Sequence, residues 1–333
     1  MNSIKAFGKF LDQPVLISKL DNAMPKLMTA GVIFKTAHDA FILNKNLKNK
    51  TDEEKSNLKK KFFKNTLTLA CAVAGAVNAP KIAGFITKRE PIPKLDIVKQ
   101  QTTRLADEFL SSHKTDKDTA DILNKAKEKI LSYSDVKKLS DKLSKSDSGR
   151  GFLNKLIPEP ENVKSKDIFS EIGYLSAYGA IPVATGIAGG VASDIATKDD
   201  YKKNLPDKIS EGIYQYLANI FLCNIGAGGA LAILEKMKIT SKLARALGMT
   251  AGIILTGVIG GSKIANIIAK KIVNPIISPN KKIKERKPEP IDMCMHTDDI
   301  ATVSVLSGLK WIEPALPVLY SVSGYKAGTG YRN

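Results

Sequence analysis

The chain has 333 residues and carries 51 basic against 33 acidic side chains, a formal charge of +18. Only six of the basic residues are arginine and 6% of the chain is aromatic. The bidentate base contacts and stacking platforms of a nucleic-acid reader are therefore scarce, and no nucleic-acid partner is expected. Three cysteines without paired spacing exclude a disulfide-built secreted domain.

Taken in order, residues 1–65 form an amphipathic and basic N-terminal region. Met1–Leu20 places Ile4, Phe7, Phe10 and Leu11 on one side and lacks the continuous apolar core of a cleavable signal peptide. Met24–Leu43 reads as a helix interrupted by Lys35, His38 and Asp39. A charge at the bilayer centre costs about 2.5–3.5 kcal/mol on insertion scales, so the sequence leaves open whether this stretch spans. In the basic segment that follows, TDEEK opens a new helix at Thr51.

Residues 66–86 are the first spanning candidate, and Pro80 predicts a kink there because it removes a backbone donor. Residues 87–171 are polar. Within them Leu95–Ser111 and Thr119–Lys145 read as amphipathic helices, with Ser134 as an N-cap inside the second. Their narrow apolar faces predict a helical hairpin or short coiled coil rather than an enzyme domain. Residues 172–322 return to membrane-like stretches at Ile172–Ala196, Ile213–Leu234, Leu247–Ala269 and, more weakly, Ala301–Val322. Residues 323–333 are a tail.

The stretch Leu247–Gly261 is uncharged and holds five glycines. Each costs about 1 kcal/mol relative to alanine in a water-exposed helix. In a bilayer the helix is enforced by backbone self-satisfaction, and small residues admit a neighbour closely. Gly186/Gly190, Gly248/Gly252 and Gly257/Gly261 are each four apart and so read as helix-packing faces, with a homo-oligomer among their expected uses. The lysine-rich connectors suit anionic lipid headgroups. Short connectors on the N-terminal side carry 11 basic residues against six on the other, which puts that side in the cytoplasm.

Few constellations carry chemistry. Asp292-Met293-Cys294-Met295-His296, with Asp298 and Asp299, groups soft-metal ligand types, but no second Cys/His cluster completes a site and no metal is expected. His38 and Asp39 in an apolar helix suggest a proton relay, or the solvated face of an interfacial helix. Lys310 and Glu313, three apart and followed by Pro314 and Pro317, suggest an intramembrane polar site or a purely structural pair. Walker A, dinucleotide, GxSxG, HExxH and CxxC motifs are absent, so neither catalysis nor a cofactor is expected. The sequence thus predicts an all-α, multi-pass integral membrane protein with about five Gly/Ala-rich spanning or re-entrant helices (from ~20-residue apolar stretches) and a basic helical insertion. The expected compartment is the bacterial inner membrane. The expected role is a non-catalytic membrane scaffold or assembly protein; the alternative is a small transporter or channel using the Lys310/Glu313 pair.

Overall fold

The computed structural model describes residues 3–157, 164–279, 284–290, 292 and 310–331. Among them there is no strand, and four helices are long and apolar enough to cross a membrane: the chain is an all-α membrane protein. In chain order the helices are α1 (Ser3–Leu11), α2 (Pro14–Asn46), α3 (Asp52–Thr87), α4 (Leu95–Ser112), α5 (Lys117–Glu128), α6 (Tyr133–Leu143) and α7 (Asp147–Leu156). Then follow α8 (Ser165–Ala196), α9 (Tyr201–Lys236), α10 (Leu243–Ile277) and α11 (Leu316–Thr329). The chain divides into two compact units.

The first unit comprises Met1–Met24, Ile92–Val163 and Ala301–Ala315. Each of α4 to α7 buries one apolar stripe, and Phe109, Leu123, Val136, Leu139, Phe152 and Leu156 meet in a common core. Four helices share this core, so the block is a small bundle and not the hairpin its narrow faces suggest. The expected single helix Thr119–Lys145 is two helices. Ser132 caps α6 through a reciprocal box with Asp135, so the serine three residues before the acid is the cap and Ser134 lies inside the helix. Gln13 ties the preceding loop down: its amide donates to the Leu131 carbonyl at 3.0 Å and accepts from the Leu131 N–H at 2.8 Å.

The second unit comprises Pro25–Pro91, Lys164–Ile300 and Leu316–Asn333, and contains all four apolar helices. Thr51 caps α3 in a box with Glu54, and the helix continues through Pro80 to Thr87. Three π-helical stretches interrupt the later spans, at Leu217–Phe221 in α9 and at Ile253–Gly261 and Ala269–Val273 in α10. They have a packing consequence. Met249, Ile253, Gly257, Gly261, Ala265, Ala269 and Val273 are all buried at a strict spacing of four. Six such steps would drift about 240° around an ideal α-helix of 3.6 residues per turn. Widened i→i+5 turns absorb the drift and keep the stripe on one face. Leu255, Ile259, Ile264, Ile267, Ile272 and Ile276 point outward along the same helix.

Among the described residues of the weakest spanning candidate, Ala301–Val322, there is no fifth long apolar helix. Residues 301–309 lie outside the described residues, Lys310–Ala315 is a 3-10 turn, and α11 has 14 residues. A span needs about 20.

Candidate functional site: charged rims on a glycine-packed bundle

The middle of the second unit is held by backbone-level contact. A Cβ placed on Gly186 would stand 2.0 Å from the Gly324 carbonyl oxygen, and one on Gly190 would stand 1.9 Å from that of Gly328. With both numbers rising together, α8 and α11 run parallel. On α10 the opposing residues fall as the glycine numbers rise: Gly248 meets Leu234, Gly252 meets Gly226, Gly257 meets Cys223 and Gly261 meets Ala218. That is an antiparallel pair with α9. All six glycines singled out in the sequence therefore face another helix of the same chain.

Charge is concentrated at the two ends of these helices. At the first rim, the Asp194 carboxylate is 1% exposed and meets Lys64 at 2.6 Å and Lys208 at 3.3 Å. Lys64 also reaches Asp199, and its hydrogen bond holds that carboxyl below the usual carboxylate range. Lys208 donates to the Gly328 carbonyl at 2.8 Å, a cation at the C-terminal end of α11 where the helix dipole favours it.

Beside this pair lies a second cluster centred on Arg286, whose side chain is fully buried. Arg286 meets Asp292 at 3.0 Å, Glu289 at 3.3 Å and Glu211 at 3.4 Å. Lys326 of α11 meets Asp292 at 3.1 Å, and the Tyr331 hydroxyl donates to Glu289 at 2.8 Å. The guanidinium lies 4.8 Å from the Tyr214 ring centre and 5.3 Å from that of Tyr331. Asn266 holds the Arg286 backbone at both its N–H and carbonyl, which seats the loop on α10. Burial works against the charge on Arg286, but Glu211 and Asp292 outweigh it and raise its pKa. Burial likewise pushes the Glu289 carboxyl up, and the hydrogen bond from Tyr331 together with the Arg286 charge brings it below its ordinary value.

From Glu211 a polar ladder climbs α9. Gln215 donates to Glu211 at 2.7 Å and Asn219 donates to Gln215 at 2.8 Å, all three buried. The spacing of four, repeated, puts them on one face, and the π-turn begins beneath Asn219.

The opposite rim is smaller. Arg89 pairs with Glu171 and lies 4.2 Å over the Tyr174 ring. Glu235 accepts from the Ser165 N–H at 3.0 Å and its hydroxyl at 2.6 Å, while Arg245 meets Glu235 at 3.1 Å. Along α3, α8 and α9 the two rims are about 35 Å apart at 1.5 Å per residue. The hydrocarbon core of a bilayer, about 30 Å thick, is slightly thinner than that separation.

The polar positions expected from sequence fall elsewhere. His38 and Asp39 are on α2, which is not among the four apolar helices; His38 is more than half exposed, lies 3.6 Å from Asp39, and Asp39 pairs with Lys35. Glu313 is half-buried in the 3-10 turn of the first unit, and the Lys310 side chain lies outside the described residues. The 3-10 turn Lys310–Ala315 is not part of any of the four apolar helices. Of the soft-ligand cluster, Asp292 is engaged by Arg286 and Lys326, and residues 293–299 lie outside the described residues. Among the described residues no group of His, Cys, Asp and Glu is arranged to hold a metal.

Arg286, Glu211, Lys64, Lys208 and Lys326 were not singled out by sequence reasoning. The available signal was the Glu211–Gln215–Asn219 spacing, which carries polar residues at intervals of four into the apolar part of α9.

The chain matches no family model, no curated protein and no solved structure.

Proposed function

We propose that this protein is a non-catalytic membrane scaffold: a bilayer-anchored helical bundle that holds a separate helical unit at the membrane. The observation that carries this reading is the distribution of charge in the second unit. Glycine-packed, outwardly apolar helices form the middle, and paired charges are gathered at two levels about 35 Å apart. Lys64, Lys208, Arg286 and Lys326 each face a carboxylate, so these charges act as locks between helices. Paired buried charges of this kind fix geometry without requiring chemistry.

The lysine-rich first turns of α3, with Lys59, Lys60 and Lys61, would rest on anionic headgroups at the first rim. Apolar helices long enough to span support a multi-pass location, which this reading puts in the bacterial inner membrane. Self-association would run through outward apolar residues such as Leu255 and Ile259, since the six packing glycines face helices of their own chain.

A transporter is the second reading, favoured by the buried Glu211–Gln215–Asn219 ladder. Intramembrane ionisable residues often mark proton or ion paths. Reconstitution into vesicles with a pH-sensitive dye separates the two. A scaffold leaves proton flux at the level of empty vesicles. Flux above that level which disappears in Glu211→Gln would overturn the scaffold reading.

A further inference from the structure

The first rim holds a partly open polar cavity of about 180 Å³, room for one small solute. Its lining includes Lys64, Asp194, Asn204, Asp207, Lys208 and the end of α11 at Gly328. Two ammonium and two carboxylate groups balance. A lone anion would face the carboxylates and a lone cation the lysines, whereas a molecule carrying both charges finds a partner for each. Asp194 adds a second observation. It is 1% exposed, and its Oδ2, although 3.3 Å from Lys208 Nζ, makes no hydrogen bond. A buried carboxylate oxygen in that condition retains acceptor capacity.

We propose that this cavity binds a small zwitterion with a phosphate-type oxyanion and a primary ammonium, the chemistry of a phosphoethanolamine headgroup. The oxyanion lies toward Lys64 and the Asn204 amide, and the ammonium donates to Asp194 and Asp207. A primary ammonium has N–H donors for those carboxylates, and a quaternary choline has none. The cavity lies at the level where the membrane reading puts headgroups, so a lipid is one source of this chemistry. A soluble zwitterion is the other.

The test uses the full chain in detergent. Native mass spectrometry measures retention of phosphatidylethanolamine, phosphatidylcholine and phosphatidylglycerol, and thermal melting measures the response to soluble phosphoethanolamine. Asn204→Leu and Asp207→Asn alter the cavity and leave the Lys64–Asp194–Lys208 pairs in place. Preferential retention of phosphatidylethanolamine, weakened roughly tenfold or more in either variant, is the expected result, because Asn204→Leu removes a hydrogen bond to the oxyanion and Asp207→Asn removes the charge that meets the ammonium. A melting shift with soluble phosphoethanolamine, lost in the variants and without lipid preference, supports the same cavity chemistry with a soluble source. Equal retention of phosphatidylcholine with no soluble effect overturns the proposal, as does retention that follows net negative charge or survives both variants. Membrane insertion itself is read by a separate extraction, so a failure here is distinguishable from a failure of the membrane reading.

Discussion

Arg286→Met should destabilise the bundle more than any surface change, and Glu211→Gln should partly rescue it. Arg286 is fully buried and meets Glu211 at 3.4 Å and Asp292 at 3.0 Å. At an effective dielectric constant of about 20, those two contacts correspond to attractions of about 5 and 5.5 kcal/mol. Desolvation of the three ions costs several kcal/mol each and cancels much of this. What the single variant exposes is the remainder: Glu211 and Asp292 stay buried with one cation fewer, a loss of about 3–5 kcal/mol. Removing the Glu211 charge as well relieves part of that loss, so the double variant should sit above the sum of the singles by about 1–3 kcal/mol. Lys326 still faces Asp292, which is why rescue is partial. Thermal or denaturant melting of the full chain in one detergent, as a four-member cycle, reads both quantities. Additive effects within about 0.5 kcal/mol would refute the coupling, and a wild-type-like Arg286→Met would refute the buried lock itself.

Four further predictions come from other parts of the molecule. Gly186→Ala puts a methyl group 2.0 Å from a backbone oxygen that no side-chain rotation can move, so it should lower the melting temperature by an overpacking cost of about 1–3 kcal/mol. Gly229→Ala meets nothing within 4 Å and should be neutral, or stabilising by up to about 1 kcal/mol. In the first unit, the hydrogen bond from Lys142 holds the Asp116 carboxyl at about 2 against an ordinary 3.8. Its stabilising contribution is present above pH 3.8 and is lost as pH falls through about 2. Carboxyl NMR should show that low midpoint, and Lys142→Met should move it back toward the ordinary value. On the outward face of α10, Leu255→Lys and Ile259→Lys together should reduce membrane insertion, since each charge near the bilayer centre costs about 2.5–3.5 kcal/mol; unchanged insertion would mean that this face does not meet lipid.

What the sequence revealed divides by the range of the interactions. Apolar blocks longer than a bilayer is thick are local, and four of them are visible before any folding is considered. Thr51 with Glu54 is equally local, and so is the small-residue spacing at Gly186 and Gly190. The partners of those glycines are not. Nothing near Gly186 in sequence points to Gly324, and an ideal helical period separates Gly252 from Gly257, which widened turns bring back to one face. The Arg286 cluster was hidden for a similar reason. Its members come from α9, α11 and a proline-punctuated loop, and a loop arginine among lysines carries no periodic signal. Lys310 and Glu313 drew attention because they interrupt an apolar run, yet the run breaks into a 3-10 turn and a short helix assigned to different units. In the first unit, the break after Glu128 was masked by apolar residues that keep nearly the same period across Ser132.

The central claim is that the four long helices lie within a bilayer, with their charged rims at its two surfaces. Alkaline carbonate extraction of membranes from cells expressing the full chain tests it most directly. The account predicts that the protein stays in the membrane pellet with integral proteins. Release into the supernatant would contradict it.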